Sequence, residues 1–195
     1  VLTGATGLLG PWLAESLAVL GSVTGVARGN ADLICDLADP VAARALLDRV
    51  RPDIVVHAAG LTDVDGCEAD PAAAFRSNSE SAATLAHLVP PDVLLVGLST
   101  DQVYPDIPGP HAEVNVGPIN VYGKSKLAGE TAIAGHPSGL VLRINMFGPS
   151  RTAGRRSLSD FVVDSSRAER ELGWRGDSNL LEAIRESVDW HRSKH

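Results

Sequence analysis

The chain of 195 residues is 44% hydrophobic and 21% charged, with a formal net charge of -7, which suits one α/β domain, alone or with part of a second. The acidic balance argues against a nucleic-acid partner, and no apolar run reaches the roughly 20 residues that a membrane span needs. Two cysteines cannot form a disulfide framework, so we expect a cytoplasmic protein.

Short apolar runs alternate with stretches of helical periodicity. The apolar runs are continuous, as in Ile54–Val56, which is typical of parallel strands buried on both faces. Strands that alternate with helices predict a Rossmann-like, doubly wound parallel sheet of α/β class. In chain order the predicted strands are Val1–Leu2, Val23–Ala27, Asp32–Cys35, Asp53–His57, Val93–Leu98 and Leu140–Ile144, and the predicted helices are Pro11–Leu20, Val41–Val50, Pro71–Leu88 and Val121–Ala134.

A glycine-rich turn, with Gly4, Gly7 and Gly10, joins the first predicted strand to the first predicted helix. Glycine at these positions allows a tight turn, a close approach of a pyrophosphate to backbone N–H groups and close packing of helix on strand. The helix that follows directs N–H donors and the positive end of its dipole at the anion. The strand–turn–helix context therefore predicts a dinucleotide site rather than a purely structural turn.

The end of the second predicted strand bears on which dinucleotide would bind. Sites that read an unmodified ribose usually place an acidic residue about 20 residues after the glycines, whereas an arginine suits a ribose 2′-phosphate. This strand ends at Arg28, and the next acidic residue is Asp32. Arg28 therefore favours NADPH, with NADH as the alternative. If Arg28 has no functional role, it is simply a solvated arginine at the end of a strand.

A tyrosine and a lysine four residues apart are the most informative pair in the sequence. Tyr122 and Lys126 fall on one face of the last predicted helix, with Cβ atoms about 5–6 Å apart. A neighbouring ammonium stabilises a phenolate, so we expect Lys126 to lower the pKa of Tyr122. Thr100 follows a buried strand, where a hydroxyl could hydrogen-bond a substrate carbonyl. By itself such a pair is more often a surface feature; together with the glycine turn it indicates catalysis.

The glycine turn and the Tyr-x-x-x-Lys pair resemble those of the extended short-chain dehydrogenase/reductase family. Within that family, four strings are similar to the dTDP-4-dehydrorhamnose reductases, and the similarity covers about the first 150 residues. The strings begin at His57 (His-Ala-Ala-Gly, with Thr-Asp-Val-Asp-Gly-Cys-Glu from Thr62), at Asn78 (Asn-Ser-Glu), at Ser99 (Ser-Thr-Asp-Gln-Val-Tyr) and at Asn120 (Asn-Val-Tyr-Gly-Lys-Ser-Lys-Leu-Ala-Gly-Glu).

The resemblance implies reduction of the 4-keto group of a nucleotide-linked 6-deoxysugar, with hydride from NADPH or NADH. Tyr122 would give its proton to the developing alkoxide, Lys126 would bind the nicotinamide ribose and tune Tyr122, and Thr100 would hold the carbonyl oxygen. The residues that the resemblance assigns to the cofactor are Gly4, Gly7, Leu9 and Gly10 at the pyrophosphate, Asp36 and Leu37 at the adenine, Ala58, Ala59 and Thr62 along its middle, and Asn145 near the nicotinamide or substrate.

The sequence changes character after Gly148-Pro149, where a stretch rich in serine, arginine and glycine begins. We therefore divide the chain into an NAD(P)-binding Rossmann domain, 1–150, and a partial C-terminal substrate-binding region, 151–195, too short to fold alone. Members of the family carry a longer substrate domain here. Either the region is naturally shortened or the sequence lacks residues of a longer chain, and we favour the second because Val1 also begins in mid-strand without a methionine.

Two other functions stay open. The first is an epimerase or dehydratase of the same family, although its dehydratases typically carry Asp-Glu directly after the threonine and Thr100 is followed by Asp-Gln. The second is a non-catalytic, NADP-binding regulatory subunit, against which the presence of both Tyr122 and Lys126 argues. The expected partner is a nucleotide-sugar substrate, with no nucleic acid, membrane or metal, and a homodimer would be unsurprising. We expect His57 to pack rather than to act as a base.

Overall fold

The computed structural model describes residues 1–145, so the predicted substrate region, 151–195, lies outside the described residues. Six parallel strands form one sheet in the order β3-β2-β1-β4-β5-β6. The order reverses between β1 and β4, which places a crevice at the carboxyl ends of these central strands. The strands are β1 Leu2–Thr3, β2 Gly25–Ala27, β3 Leu33–Ile34, β4 Ile54–His57, β5 Leu94–Ser99 and β6 Gly139–Arg143.

Helices connect the strands as crossovers except between β2 and β3, which residues 28–32 join without a helix, and local residues fix where two of the helices begin. The Asp39 carboxylate accepts hydrogen bonds from the N–H groups of Val41 and Ala42, at 2.9 and 3.3 Å, and so caps the second helix. Asn120 caps the last one by accepting from the N–H of Gly123 at 2.7 Å. The helices are α1 Gly10–Leu17, α2 Pro40–Val50, α3 Val64–Ala69, α4 Pro71–Phe75, α5 Ser81–Leu88 and α6 Val121–Ala134, with a π-helical turn Arg76–Glu80 joining α4 to α5 and a 3-10 turn Asp101–Val103 after β5.

Both faces of the sheet carry apolar packing. Neighbouring residues of β4 point to opposite sides: Val55 belongs to a core cluster with residues of α2 and α5, whereas Val56 packs with Leu13 and Leu17 of α1. This explains why the strands read as continuous apolar runs. None of the helices within residues 1–145 is both long and apolar enough to cross a membrane.

The predicted α/β fold is confirmed, and two features differ from the sequence prediction. Helix α3 was not predicted, because its six residues include Gly66 and two acidic side chains and show no helical apolar period. The predicted helix Pro71–Leu88 is present but contains the π-helical turn. The wider turn lets Asn78 point into the interior, where its amide hydrogen-bonds to Leu61 and Ser125.

Candidate active site

The carboxyl ends of the six strands bring most of the predicted site residues to one edge of the sheet. Because all the strands are parallel, the segments that follow them emerge at the same edge. The glycine turn follows β1, Arg28 follows β2, Asp36 and Leu37 follow β3, Ala58, Ala59 and Thr62 follow β4, Thr100 follows β5, and Asn145 follows β6. The topology therefore brings together predicted site residues that are spread over about 140 positions of the sequence.

The glycine turn is built so that only glycine fits its first position. Gly4 has φ of +69°, and a Cβ added there would lie 2.7 Å from backbone atoms of Ala58 and Ala59. The turn thus packs directly on the loop that follows β4. At its other end α1 begins with Gly10, and Leu9, the capping residue, makes no side-chain hydrogen bond to the helix. This backbone is the kind that can accept a pyrophosphate.

A buried hydrogen-bond chain holds the loop after β4. The Ser81 hydroxyl donates to the carbonyl of Ser77 at 2.6 Å, so His57 Nε2, at 3.2 Å, donates to Ser81. His57 Nδ1 then accepts from the Thr3 hydroxyl at 2.8 Å, and the N–H of Ala59 donates to that hydroxyl at 3.2 Å. Burial lowers the pKa of His57 to about 3, and the charge of Lys126 acts in the same direction. His57 is therefore a neutral packing residue, as expected from the sequence.

Lys126 anchors α6 to the strand that ends at the site. Its Nζ donates to the carbonyl of Leu98, in β5, at 2.6 Å. Burial lowers the pKa of Lys126 to about 8, while the carboxylate of Glu130 acts to raise it. The ammonium is thus close to its titration point at mildly alkaline pH.

Tyr122 does not have the lowered pKa that the sequence predicts. Its side chain is buried, and burial raises the pKa of the phenol above its ordinary value. The nearby Thr100 hydroxyl opposes this shift in the pKa of Tyr122, whereas Cys67 and Asp101 add to it. The prediction was wrong because burial of the phenol sets the direction of the shift, while the Lys126 ammonium donates to the carbonyl of Leu98. A protonated phenol beside a hydroxyl can donate a proton to an oxyanion.

Asp101, which was not among the predicted site residues, connects Thr100 to Asn145. One carboxylate oxygen accepts from the Thr100 hydroxyl at 3.1 Å, and the other accepts from the Asn145 amide at 3.0 Å. Thr100 also accepts from the N–H of Gln102 at 3.3 Å. Asp101 therefore draws Asn145, after β6, to the residues that follow β5.

Residues 1–158 match the family described as RmlD substrate binding domain. The chain belongs to this family. It is 42% identical over 137 residues to dTDP-4-dehydrorhamnose reductase of Burkholderia thailandensis, an alignment that covers 69% of this chain and 45% of the relative. The chain thus spans about half the length of this relative, and the resemblance read from the sequence is confirmed.

Solved structures of the same kind of enzyme have the same fold. A dTDP-4-dehydrorhamnose reductase from Clostridium acetobutylicum superposes with a TM-score of 0.65 at 27% identity, covering 73% of this chain and 51% of that one. The enzyme from Bacillus anthracis, solved in complex with NADP, has a TM-score of 0.64 at 30% identity over the same shares of both chains.

Asn78 is another residue of this RmlD family member to which the sequence analysis gave no role. Its side chain is 2% exposed. It accepts from the N–H of Leu61 at 2.7 Å and donates to the Leu61 carbonyl and to the Ser125 hydroxyl, both at 2.9 Å. Asn78 therefore locks the loop after β4 to α6, next to Lys126. The only signal in the sequence was the Asn-Ser-Glu string.

The remaining residues that the sequence analysis assigned to the cofactor differ in their exposure. Arg28 and Thr62 are exposed, and Leu37 is buried. Asp36 pairs with Arg76, which the sequence analysis did not single out. Within residues 1–145, no group of three or more His, Cys, Asp or Glu side chains is arranged to hold a metal.

Proposed function

We propose that the chain is the dinucleotide-binding part of an NADPH-dependent reductase that acts on the 4-keto group of a nucleotide-linked 6-deoxysugar. The observation that carries the proposal is the juxtaposition of Tyr122 and Thr100, whose hydroxyl is near enough to act on the pKa of the phenol, with Lys126 on the same helix, at the sheet edge that bears the glycine turn. The named activity and the NADP complex of relatives in the family support it.

The described residues fit a dinucleotide. Gly4 brings the turn against the backbone of Ala58 and Ala59, where a side chain would clash, and the start of α1 lies at Gly10. Gly4, Gly7, Leu9 and Gly10 would hold the pyrophosphate, Asp36 and Leu37 the adenine, Arg28 the 2′-phosphate, Ala58, Ala59 and Thr62 the middle, and Asn145 the nicotinamide end. When bound, NADPH would supply a hydride to the carbonyl carbon.

The protein's own residues would handle the oxygen of that carbonyl. As negative charge develops there, the Tyr122 phenol would transfer its proton to it, and the Thr100 hydroxyl would turn its hydrogen from Asp101 to the same oxygen. Burial raises the pKa of Tyr122, so the phenol is protonated before the reaction and would act as the proton donor rather than as a base. Lys126, anchored on the Leu98 carbonyl, holds α6 and presents positive charge beside the site.

The test is consumption of NADPH by the full-length protein with dTDP-linked 4-keto-6-deoxyhexoses of differing ring configuration. We expect turnover by the native protein and a loss of at least about a hundredfold in Tyr122→Phe, with NADPH binding retained. Tyr104→Phe is the matched control, since Tyr104 is the other tyrosine of the chain. It should keep its activity.

The outcomes separate the remaining candidates. Tight NADPH binding without turnover on any such sugar would contradict a reductase and favour a regulatory subunit. Interconversion of sugar epimers without net NADPH consumption would identify an epimerase. A cytoplasmic location and a homodimeric state stay predictions from the sequence, to be checked by fractionation and by mass in solution.

A further inference from the structure

An ion pair crosses the adenosine end of the proposed cofactor site. Arg76 Nη2 lies 2.7 Å from Asp36 Oδ2, which joins the π-helical turn to the loop after β3, 40 residues earlier in the chain. Both side chains remain about half exposed, so a ligand can reach them. Glu80, also on the π-helical turn, is a more distant partner of Arg76 at 3.8 Å.

Asp36 and Arg28 give opposite signals for cofactor choice. Both follow neighbouring strands at the same sheet edge, Arg28 directly after β2 and Asp36 two residues after the end of β3. The two groups are close enough that Arg28, with the nearer Arg76, helps to lower the pKa of Asp36. At the adenosine end of the cofactor site, an ionised carboxylate repels a 2′-phosphate, whereas an arginine attracts one.

We propose that Arg76 is a specificity-determining residue for NADPH, because it neutralises Asp36 and so allows a 2′-phosphate to approach Arg28. This rests on the proposed function, since it concerns the same dinucleotide site. Without Arg76, the three-residue group of Arg28, Asp36 and Arg76 would change from a net charge of +1 to zero. The loss of affinity would be confined to NADPH, because NADH has no phosphate on the ribose 2′ oxygen.

The experiment is a direct binding titration of the full chain with NADPH and with NADH, followed by the fluorescence of the reduced nicotinamide. In Arg76→Gln we expect the preference for NADPH over NADH to fall about fivefold, as for the removal of one partly solvated charge pair, with NADH affinity unchanged or slightly improved. Arg49→Gln is the matched control, because Arg49 is an exposed arginine in the last turn of α2. It should leave both affinities unchanged.

A second variant tests the cause. Adding Asp36→Asn to Arg76→Gln removes the unpaired carboxylate, so the preference for NADPH should return. Because both dinucleotides share the adenine, any general loss from Asp36→Asn cancels in the ratio of the two dissociation constants. Thermal unfolding of Arg76→Gln shows that the variant is folded before it is titrated.

Each result decides the inference. If Arg76→Gln weakens the binding of NADPH and NADH equally, or leaves the ratio of their dissociation constants unchanged, the inference is overturned and the proposed function stands. A fallen ratio that Asp36→Asn does not restore would also overturn it, because the effect would not run through the carboxylate. A native protein that binds neither dinucleotide would instead overturn the proposed function, and this inference with it.

Discussion

The carboxylate of Glu130 and the guanidinium of Arg143 form a two-pronged ion pair between α6 and β6. Nε donates to Oε1 at 2.9 Å and Nη2 donates to Oε2 at 2.7 Å. The same guanidinium donates to the Glu113 carbonyl at 2.6 Å and lies 5.0 Å from the ring centre of Tyr104. Glu130 is 7% exposed and stands one helical turn after Lys126. The pair therefore fixes a negative charge near the lysine of the candidate site.

Replacing Glu130 should move the alkaline limit of the reaction to lower pH. The pKa of Lys126 is about 8, because burial lowers it more than Glu130 raises it. If the ammonium is the active form, kcat/KM falls as the pH rises through that value. In Glu130→Gln the raising influence is absent, so the fall should begin at lower pH. The measurement is kcat/KM between pH 6 and pH 10.

Glu113→Gln serves as the control for this profile, because Glu113 meets Arg143 through its backbone carbonyl, which the substitution keeps. Its alkaline limb should match that of the native protein. An identical limb in Glu130→Gln would contradict the assignment of the limb to Lys126.

His57 should make the fold sensitive to acid. Its pKa is lowered from 6.5 to about 3 by burial, so between these values the unfolded chain binds a proton that the folded chain does not. The free energy of unfolding therefore decreases as the pH falls from about 6.5 toward 3. His57→Gln should lower stability at neutral pH and flatten this slope. Denaturant unfolding at pH 7, 6, 5 and 4 measures both effects.

The exposed His87, in the last turn of α5, provides the matched control. His87→Gln should leave both the stability at pH 7 and the slope close to native. A slope that survives unchanged in His57→Gln would mean that other groups govern the acid response.

Gly129 allows α6 to pack against the π-helical turn. A Cβ at this position would collide with the backbone carbonyl of Asn78, and it would lie 3.3 Å from Cβ of Ala82. Backbone cannot move aside as a flexible side chain can. Gly129→Ala should therefore lower the free energy of unfolding by about 1–3 kcal/mol, although alanine favours a helix. Thermal or denaturant unfolding measures the change.

Gly29→Ala is the comparison for this prediction, because a Cβ at Gly29 would meet nothing within 4 Å. Its free energy of unfolding should stay within about 0.5 kcal/mol of native. Equal stability of the two alanine variants would show that α6 can shift to accommodate the methyl group.

The sequence predicted the parts of this molecule that depend on local pattern. Apolar runs predicted the six strands, most clearly β4 and β5 at the buried centre of the sheet, and parallel strands necessarily bring the residues that follow them to one edge. The glycine turn was recognisable because Gly4 must adopt a positive φ. These features need only neighbouring residues and the topology that they imply.

The remaining features depend on pairings that local sequence does not encode. Asp36 and Arg76 are 40 residues apart, and Glu130 and Arg143 belong to a helix and a strand that meet only in the fold. The direction of the pKa shift of Tyr122 depended on the burial of the phenol, which only the fold determines. A helical spacing of four places Tyr122 and Lys126 on one face, but it does not predict that the lysine ammonium will donate to the carbonyl of Leu98.

Asn78 supplies the sharpest test of the connection between the loop after β4 and α6. Asn78→Asp keeps the oxygen that accepts from the N–H of Leu61 but replaces the donor that serves the Leu61 carbonyl and Ser125. A buried carboxylate would then face an acceptor, so the free energy of unfolding at pH 7 should fall by about 2–4 kcal/mol. Denaturant unfolding measures this loss.

The pH dependence of the stability of Asn78→Asp shows whether the lost hydrogen-bond donor, rather than poor packing of the new side chain, causes the destabilisation. Burial raises the pKa of a carboxyl group, so the destabilisation of Asn78→Asp should be complete above that pKa. It should shrink on acidification, as a protonated carboxyl regains one donor. Asn30→Asp is the control, since Asn30 is an exposed turn residue with φ of 54°, and its stability should stay near native. A difference between native and Asn78→Asp that does not narrow at low pH would contradict the lost donor as the cause.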